Sequence, residues 1–187
     1  SVYHAIGVSR QIFIQAPTGV GKTMSTIFPA VRAVGEGKGE TIFYLTAKTI
    51  TRTVAQEAFE VLREKGMKYK VVTITAKEKL CFMDETKCDP VHCPYARGHF
   101  DRVNDAVYEL WTTKSRYDRE TIREQAEKWQ VCPFEMCLDL SVWVDAVICD
   151  YNYVFDPTVH LKRFFGEGAG GDYIFLIDEA HNLAERG

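Results

Sequence analysis

Eight consecutive residues, Ala16, Pro17, Thr18, Gly19, Val20, Gly21, Lys22 and Thr23, have the spacing of a phosphate-binding loop. Such a loop needs glycines that let backbone N–H groups turn inward, a lysine to meet β- and γ-phosphates, and a hydroxyl for magnesium. Gly19, Gly21, Lys22 and Thr23 supply these, while Ala16 stands where the general pattern opens with glycine. Near the other end Asp178, Glu179, Ala180 and His181 follow an apolar run. An aspartate at the carboxyl end of a strand is placed to hold magnesium, and the adjacent glutamate to orient and deprotonate an attacking water. His181 either couples nucleotide state to a nucleic acid or caps local structure. ATP with Mg2+ is the expected ligand pair.

All six cysteines lie between these motifs. Cys81, Cys88, Cys93 and Cys132 are separated by six, four and 38 residues. Structural zinc usually shows a tight pair two to four residues apart, commonly twice, and here Cys88 and Cys93 alone come near that. Iron–sulfur clusters also take four thiolates, with looser spacing because the cluster is larger than one ion. Spacing leaves cluster, zinc and unliganded thiols all open. His92 and His99 could stand in for a cysteine, but read first as surface residues beside the site.

The elements that must position these groups follow from apolar patterning. Residues 11–15, with Ile12, Phe13 and Ile14, predict a strand running into the loop, and residues 22–34 a helix leaving it. Residues 41–46 predict a second strand, and residues 49–65 a helix burying Val54, Ala58, Val61 and Leu62. Residues 71–75, 146–149 and 173–177 predict three further strands, the last ending at Asp178. Continuous apolar strands alternating with helices imply an α/β fold with a mainly parallel sheet covered on both faces. Residues 77–137 break the rhythm. Cys81, Cys88, Cys93 and Cys132 fall there with Pro90, Pro94 and Pro133, beside helical runs at 101–111 and 119–128. The expected organisation is a first motor part at 1–76, a small, mainly helical insertion at 77–137 and a second motor part at 138–187.

Composition bounds this reading. A chain of 187 residues, 46% apolar and 26% charged, can bury an ordinary core. No apolar run approaches the ~20 residues of a membrane span, and no signal-peptide pattern opens the chain. A soluble, cytoplasmic protein with reduced thiols and no membrane partner is expected. The net charge of −3 does not exclude nucleic acid, which needs only local positive charge. Residues 97–128 carry seven Lys/Arg but also seven Asp/Glu, the pattern of a solvated helical face. Basic residues near the cysteines, Lys77, Lys79, Lys87 and Arg97, are better candidates for phosphate contacts.

The ordered blocks are the loop, Lys79-Leu80-Cys81, Lys87-Cys88, His92-Cys93-Pro94-Tyr95, Cys132-Pro133-Phe134, Asp150-Tyr151-Asn152-Tyr153-Val154-Phe155-Asp156-Pro157 and Asp178-Glu179-Ala180-His181. Together they resemble the superfamily 2 iron–sulfur DNA helicases of the XPD/DinG-like group, bacterial XPD-like members above all, over almost the whole chain. The resemblance implies a RecA-like P-loop motor domain interrupted by a [4Fe–4S] domain, with Cys81, Cys88, Cys93 and Cys132 as cluster ligands and Cys137 and Cys149 as extra thiols. It implies ATP-driven movement, mostly 5′ to 3′, on single-stranded DNA and unwinding at forks, in repair or replication. Thr46-Ala47-Lys48-Thr49 resembles the motif that touches the DNA backbone, and Lys48, Lys77 and Arg97 are the DNA-contact candidates. Family members continue into an arch insertion and a second RecA-like domain bearing an arginine finger, whereas this sequence stops at Gly187. It is therefore expected to be a motor fragment that does not unwind DNA alone. Two rival functions remain: a translocase coupled to a nuclease, and a non-catalytic nucleic-acid-binding platform built on a metal or cluster site. Glu179 separates the last from the others, because a binding platform needs no base.

Overall fold

The computed structural model describes residues 1–17 and 21–184, so Thr18, Gly19 and Val20 of the loop lie outside the described residues. In chain order the elements are α1 (Val2–Gly7), α2 (Lys22–Gly35), β1 (Thr41–Leu45), α3 (Thr49–Glu64), β2 (Val71–Thr73), α4 (Lys77–Leu80), α5 (His99–Thr113) and β3 (Arg116–Tyr117). They continue with α6 (Arg119–Trp129), α7 (Pro133–Ser141), β4 (Ala146–Cys149), α8 (Asn152–Phe155), α9 (Lys162–Phe165), β5 (Tyr173–Ile177) and a 3₁₀ turn at Ala180–Leu183. Two compact units result, one from Ser1–Tyr69 with Asp145–Gly187 and the other from Lys70–Val144.

The first unit is an α/β layer structure in which β1 lies between β4 and β5, all parallel. Ile42 pairs with Ala146 on one side and Ile174 on the other, and Leu45 with Cys149 and Ile177. Every residue of β1 and of β4 is buried, as their unbroken apolar runs require for strands covered on both faces. Alternation puts Phe43 on one face, where its ring meets Phe164 at 4.9 Å and Phe175 at 5.4 Å. Tyr44 turns to the opposite face. Burying a side chain such as Phe43 or Ile42, both fully enclosed, contributes about 1.5–3 kcal/mol.

Two expectations change here. Residues 11–15 are not a strand, and Phe13 is 88% exposed. A strand exists only where a neighbour takes its backbone hydrogen bonds, and residues 11–15 join no strand of the sheet, whose β5 edge stays unpaired among the described residues. In α3 the buried side chains are Ala55, Ala58, Phe59 and Leu62, while Val54 and Val61 are each 42% exposed. The large Phe59 side chain sets the inward face, and the valines fall beside it.

The second unit is mainly helical, with β2 and β3 as a short parallel pair. Its core is Val103, Ala106 and Leu110 of α5, Ile122 and Ala126 of α6, and Met136 and Leu140 of α7. Asp118 caps α6 by accepting from the Thr121 N–H at 3.0 Å. Glu109 ties α5 to α6: its carboxylate accepts from Lys128 at 2.7 Å, Trp129 Nε1 at 2.7 Å and Gln125 at 2.8 Å. No helix among the described residues is long and apolar enough to cross a membrane.

Candidate functional site

In the first unit the chemistry-bearing residues gather beyond the carboxyl ends of β1, β4 and β5, where parallel sheets bind ligands. Asp178 leaves β5 with its N–H donating to the Leu45 carbonyl at 2.9 Å, and Thr46 leaves β1 with its N–H donating to Cys149 at 3.1 Å. Gly21, at φ 66°, adopts the left-handed conformation that lets the chain turn into α2. The N-cap of α2 is Gly21, which offers no side-chain cap, and a helix N-terminus is the standard setting for a phosphate. Lys22 Nζ stands 3.9 Å from Glu179 Oε1, which joins the two motifs across 157 positions of sequence. His181 Nε2 lies 3.4 Å from Glu179 Oε2.

Electrostatics follow from this crowding. Burial raises the Asp178 carboxyl above its ordinary value, and the neighbouring Glu179 charge adds to the rise, against the opposing pull of Lys22 and Lys48. An ionised Asp178 is thus held under desolvation that a cation would relieve. Glu179 itself has φ 51°, an uncommon backbone state for a residue with a Cβ, costing on the order of 1 kcal/mol or more.

Two tyrosines lie beneath these groups, and sequence reasoning did not single them out. Tyr44 of β1 hydrogen-bonds Thr23, and burial pushes its phenol up to about 12, so it stays protonated. Tyr151, 1% exposed, directs its hydroxyl at the backbone carbonyls of Asp178 and Glu179, the latter at 3.1 Å. A polar residue at the inward end of a buried strand was the available signal for Tyr44. Tyr151 was in a quoted block but carried no role.

In the second unit Cys81, Cys88, Cys93 and Cys132 are free thiols that line one cavity of about 30 Å³ with Lys77, Phe82, Tyr95 and Phe134. Among the described residues no group of three or more His, Cys, Asp or Glu converges tightly enough for a single metal ion. Cys132 caps α7 ahead of Pro133, and burial raises its thiol despite N–H groups from residues 134 and 135 that favour the thiolate. Cys137 is fully buried and pushed up to about 12 by burial alone.

Basic side chains pin the backbone of this frame. Arg123 Nη1 donates to the carbonyls of Leu80 at 2.8 Å and Cys81 at 3.2 Å, with its guanidinium 4.6 Å over the Phe82 ring. Arg102 joins the Arg97 carbonyl at 2.7 Å to that of Gln130 at 2.6 Å. A Cβ on Gly98 would stand 2.5 Å from Arg102, and φ 68° there suits glycine besides. His99 departs from expectation: it is buried, and its Nδ1 accepts the Cys132 N–H at 3.1 Å. Its spacing of four from Val103, on the apolar face of α5, was the missed signal. His92 is exposed and pairs with Asp89 at 2.8 Å.

The DNA-contact candidates are placed unevenly. Lys77 hydrogen-bonds Cys88, which raises its pKa, and lies 5.8 Å from the Phe134 ring. Arg97 spends its guanidinium on the carbonyls of Pro90 at 2.9 Å and Val91 at 3.4 Å. Lys48 sits at the start of α3, beside Asp178.

A DEAD/DEAH box helicase family model matches residues 1–95, and a DEAD_2 model matches residues 64–187. A Fanconi anemia group J protein homolog of Gallus gallus is 30% identical over 94 residues, covering 50% of this chain and 7% of that protein. A probable ATP-dependent helicase of Methanocaldococcus jannaschii is 22% identical over 185 residues, covering 97% of this chain and 27% of that protein. Among solved structures, an XPD helicase has a TM-score of 0.65 at 18% identity over 98% of this chain and 31% of that one. A truncated XPD has a TM-score of 0.62 at 19% identity, over 97% and 51%. The chain thus shares the α/β fold of these structures while spanning well under two thirds of each relative.

Proposed function

As this chain belongs to the DEAD/DEAH box helicase and DEAD_2 families, we propose that it is the first motor domain of an ATP-dependent DNA helicase carrying a [4Fe–4S] cluster. The observation that carries the catalytic half is Lys22 Nζ at 3.9 Å from Glu179 Oε1, at the carboxyl edge of a parallel sheet. Lys22 and the N-terminal turn of α2 hold phosphate oxygens. Thr23 and Asp178 would hold magnesium, which would neutralise phosphate charge there, and Glu179 takes the proton of the attacking water. The neighbouring His181 carries nucleotide state toward DNA, and Lys48 meets the DNA backbone. Hydrolysis drives 5′ to 3′ travel on single-stranded DNA and opens forks in repair or replication, in the cytoplasm. A second RecA-like domain supplies the arginine that stabilises charge on the transferred phosphate, worth ~10³–10⁵ in rate in related chemistry.

For the cluster, the donor set is the supporting observation. Four free thiols surround one cavity rather than meeting at a point, which suits a multi-atom cluster better than a lone ion. Cys81, Cys88, Cys93 and Cys132 would hold it, and bound there it would fix the frame of the second unit. Lys77 and Arg97 then serve that frame rather than DNA, since the first is turned to Cys88 and the second to a carbonyl pair.

The test is DNA-stimulated ATP hydrolysis by the native protein, with Lys22→Ala and Glu179→Gln in parallel. Both variants should lose turnover by ~10²-fold or more, but Glu179→Gln should still retain ATP while Lys22→Ala should not. Normal turnover in Glu179→Gln refutes the role given to the base and favours a binding platform.

A further inference from the structure

The base has no obvious means of holding its position. Glu179 follows the last residue pair of a strand edge, has φ 51°, and contacts only Lys22 at 3.9 Å and His181 at 3.4 Å among the ionic partners described. Contacts of that length leave the carboxylate free to swing. What is fixed is the backbone beneath it. Tyr151 follows β4, on the other side of β1 from β5, and beyond the carboxyl end of β1 its hydroxyl meets the carbonyls of both Asp178 and Glu179.

We propose that Tyr151 is a positioning residue for catalysis, setting the backbone of Asp178 and Glu179 so that the magnesium aspartate and the base keep one mutual geometry. This rests on the reading of Glu179 as the base. Three features carry it. The Tyr151 ring is buried at 1% exposure, so its hydroxyl cannot trade these carbonyls for bulk water. The segment is anchored from its own side, with Val154 and Phe155 N–H groups both donating to the Tyr151 carbonyl at 3.0 Å. And the carbonyls it holds flank the left-handed residue, the one place where backbone relaxation would re-aim the carboxylate. Displacement of a catalytic group by about 1 Å costs as much as 10²-fold in rate.

Tyr151→Phe removes the hydroxyl and keeps the ring, so the buried volume is unchanged. In the native protein it should lower kcat for DNA-stimulated ATP hydrolysis about tenfold with KM for ATP unchanged, while the carbonyls left without the hydroxyl lower the melting temperature by a few degrees. In a Glu179→Gln background the same substitution should change the residual rate less than twofold, because the base whose geometry relative to Asp178 it sets is already gone. A wild-type kcat in Tyr151→Phe overturns the proposal, as does a tenfold loss that persists in the Glu179→Gln background. A rise in KM together with a fall in melting temperature of more than about 10 °C also overturns it, since that marks a structural role. Normal turnover in Glu179→Gln alone removes the base assignment, and this proposal with it; loss there with a silent Tyr151→Phe refutes positioning and leaves the functional reading standing.

Discussion

Arg123 is the strongest single tie on the cysteine frame, and Arg123→Met tests it. Helix α4 has only four residues, and the carbonyls at its end need donors from elsewhere. Arg119 takes the Lys79 carbonyl at 2.7 Å, while Arg123 takes those of Leu80 and Cys81. Two hydrogen bonds of about 1–1.5 kcal/mol each, discounted for the partial exposure of Arg123, contribute about 2–3 kcal/mol, and the guanidinium over Phe82 adds ~0.5–1 kcal/mol. Methionine keeps most of the stem packing against Phe82. The expected loss is about 3 kcal/mol, a factor of roughly 150 in the folding equilibrium. With a urea dependence of ~2 kcal/mol per molar for a unit of this size, the unfolding midpoint should fall by about 1.5 M. Iron and sulfide per chain should fall with it, because Cys81 loses its anchor. Urea titrations followed by far-UV circular dichroism, with iron and sulfide assays on the same anaerobic samples, read both effects. A midpoint within about 0.3 M of wild type, with full iron, would refute the reasoning.

Replacing Cys81, Cys88, Cys93 or Cys132 by serine should remove most iron and sulfide while ATP binding survives, because the loop and Asp178 lie in the other unit. Cys137→Ser should leave iron content unchanged, its thiol being fully buried and held protonated; zinc without sulfide in the wild type would instead overturn the cluster. Glu109 is pulled from 4.5 to about 2, chiefly by Lys128 and then Trp129 and Gln125. A carboxyl with a depressed folded-state pKa stabilises above its unfolded value and loses that contribution as pH falls from about 4.5 toward 2. Glu109→Gln should flatten this acid limb in pH-dependent unfolding, and an unchanged limb would show that other carboxylates set it.

What the sequence made legible was whatever burial and spacing decide locally. The strands β1, β4 and β5 follow from unbroken apolar runs, and α2 from the glycine at its start, because each needs little beyond its own residues. Residues 11–15 have the same apolar character without becoming a strand, since pairing is settled by neighbours and not by composition. Charge was the least readable property. Lys77 and Arg97 look alike in sequence to any phosphate-binding residue, yet one is turned to a thiol and the other to a pair of carbonyls.

The engagement of these two side chains by local groups has a physical cause that bears on the cysteine frame. The loops carrying Cys81, Cys88 and Cys93 have little regular structure, so their carbonyls lack partners from helix or strand ladders. Long cations satisfy them: Arg123 at Cys81, Arg97 at residues 90 and 91, and Arg102 at residues 97 and 130. Each arginine brings several donors on a flexible stem, which suits irregular backbone better than any short polar residue. A region that must present four thiols to one cavity cannot be a continuous helix, and it is the basic residues that replace the missing ladder. Much of the positive charge of residues 97–128 is therefore engaged by neighbouring carbonyls and carboxylates, leaving Lys48, on the first unit, as the basic candidate least committed to local backbone.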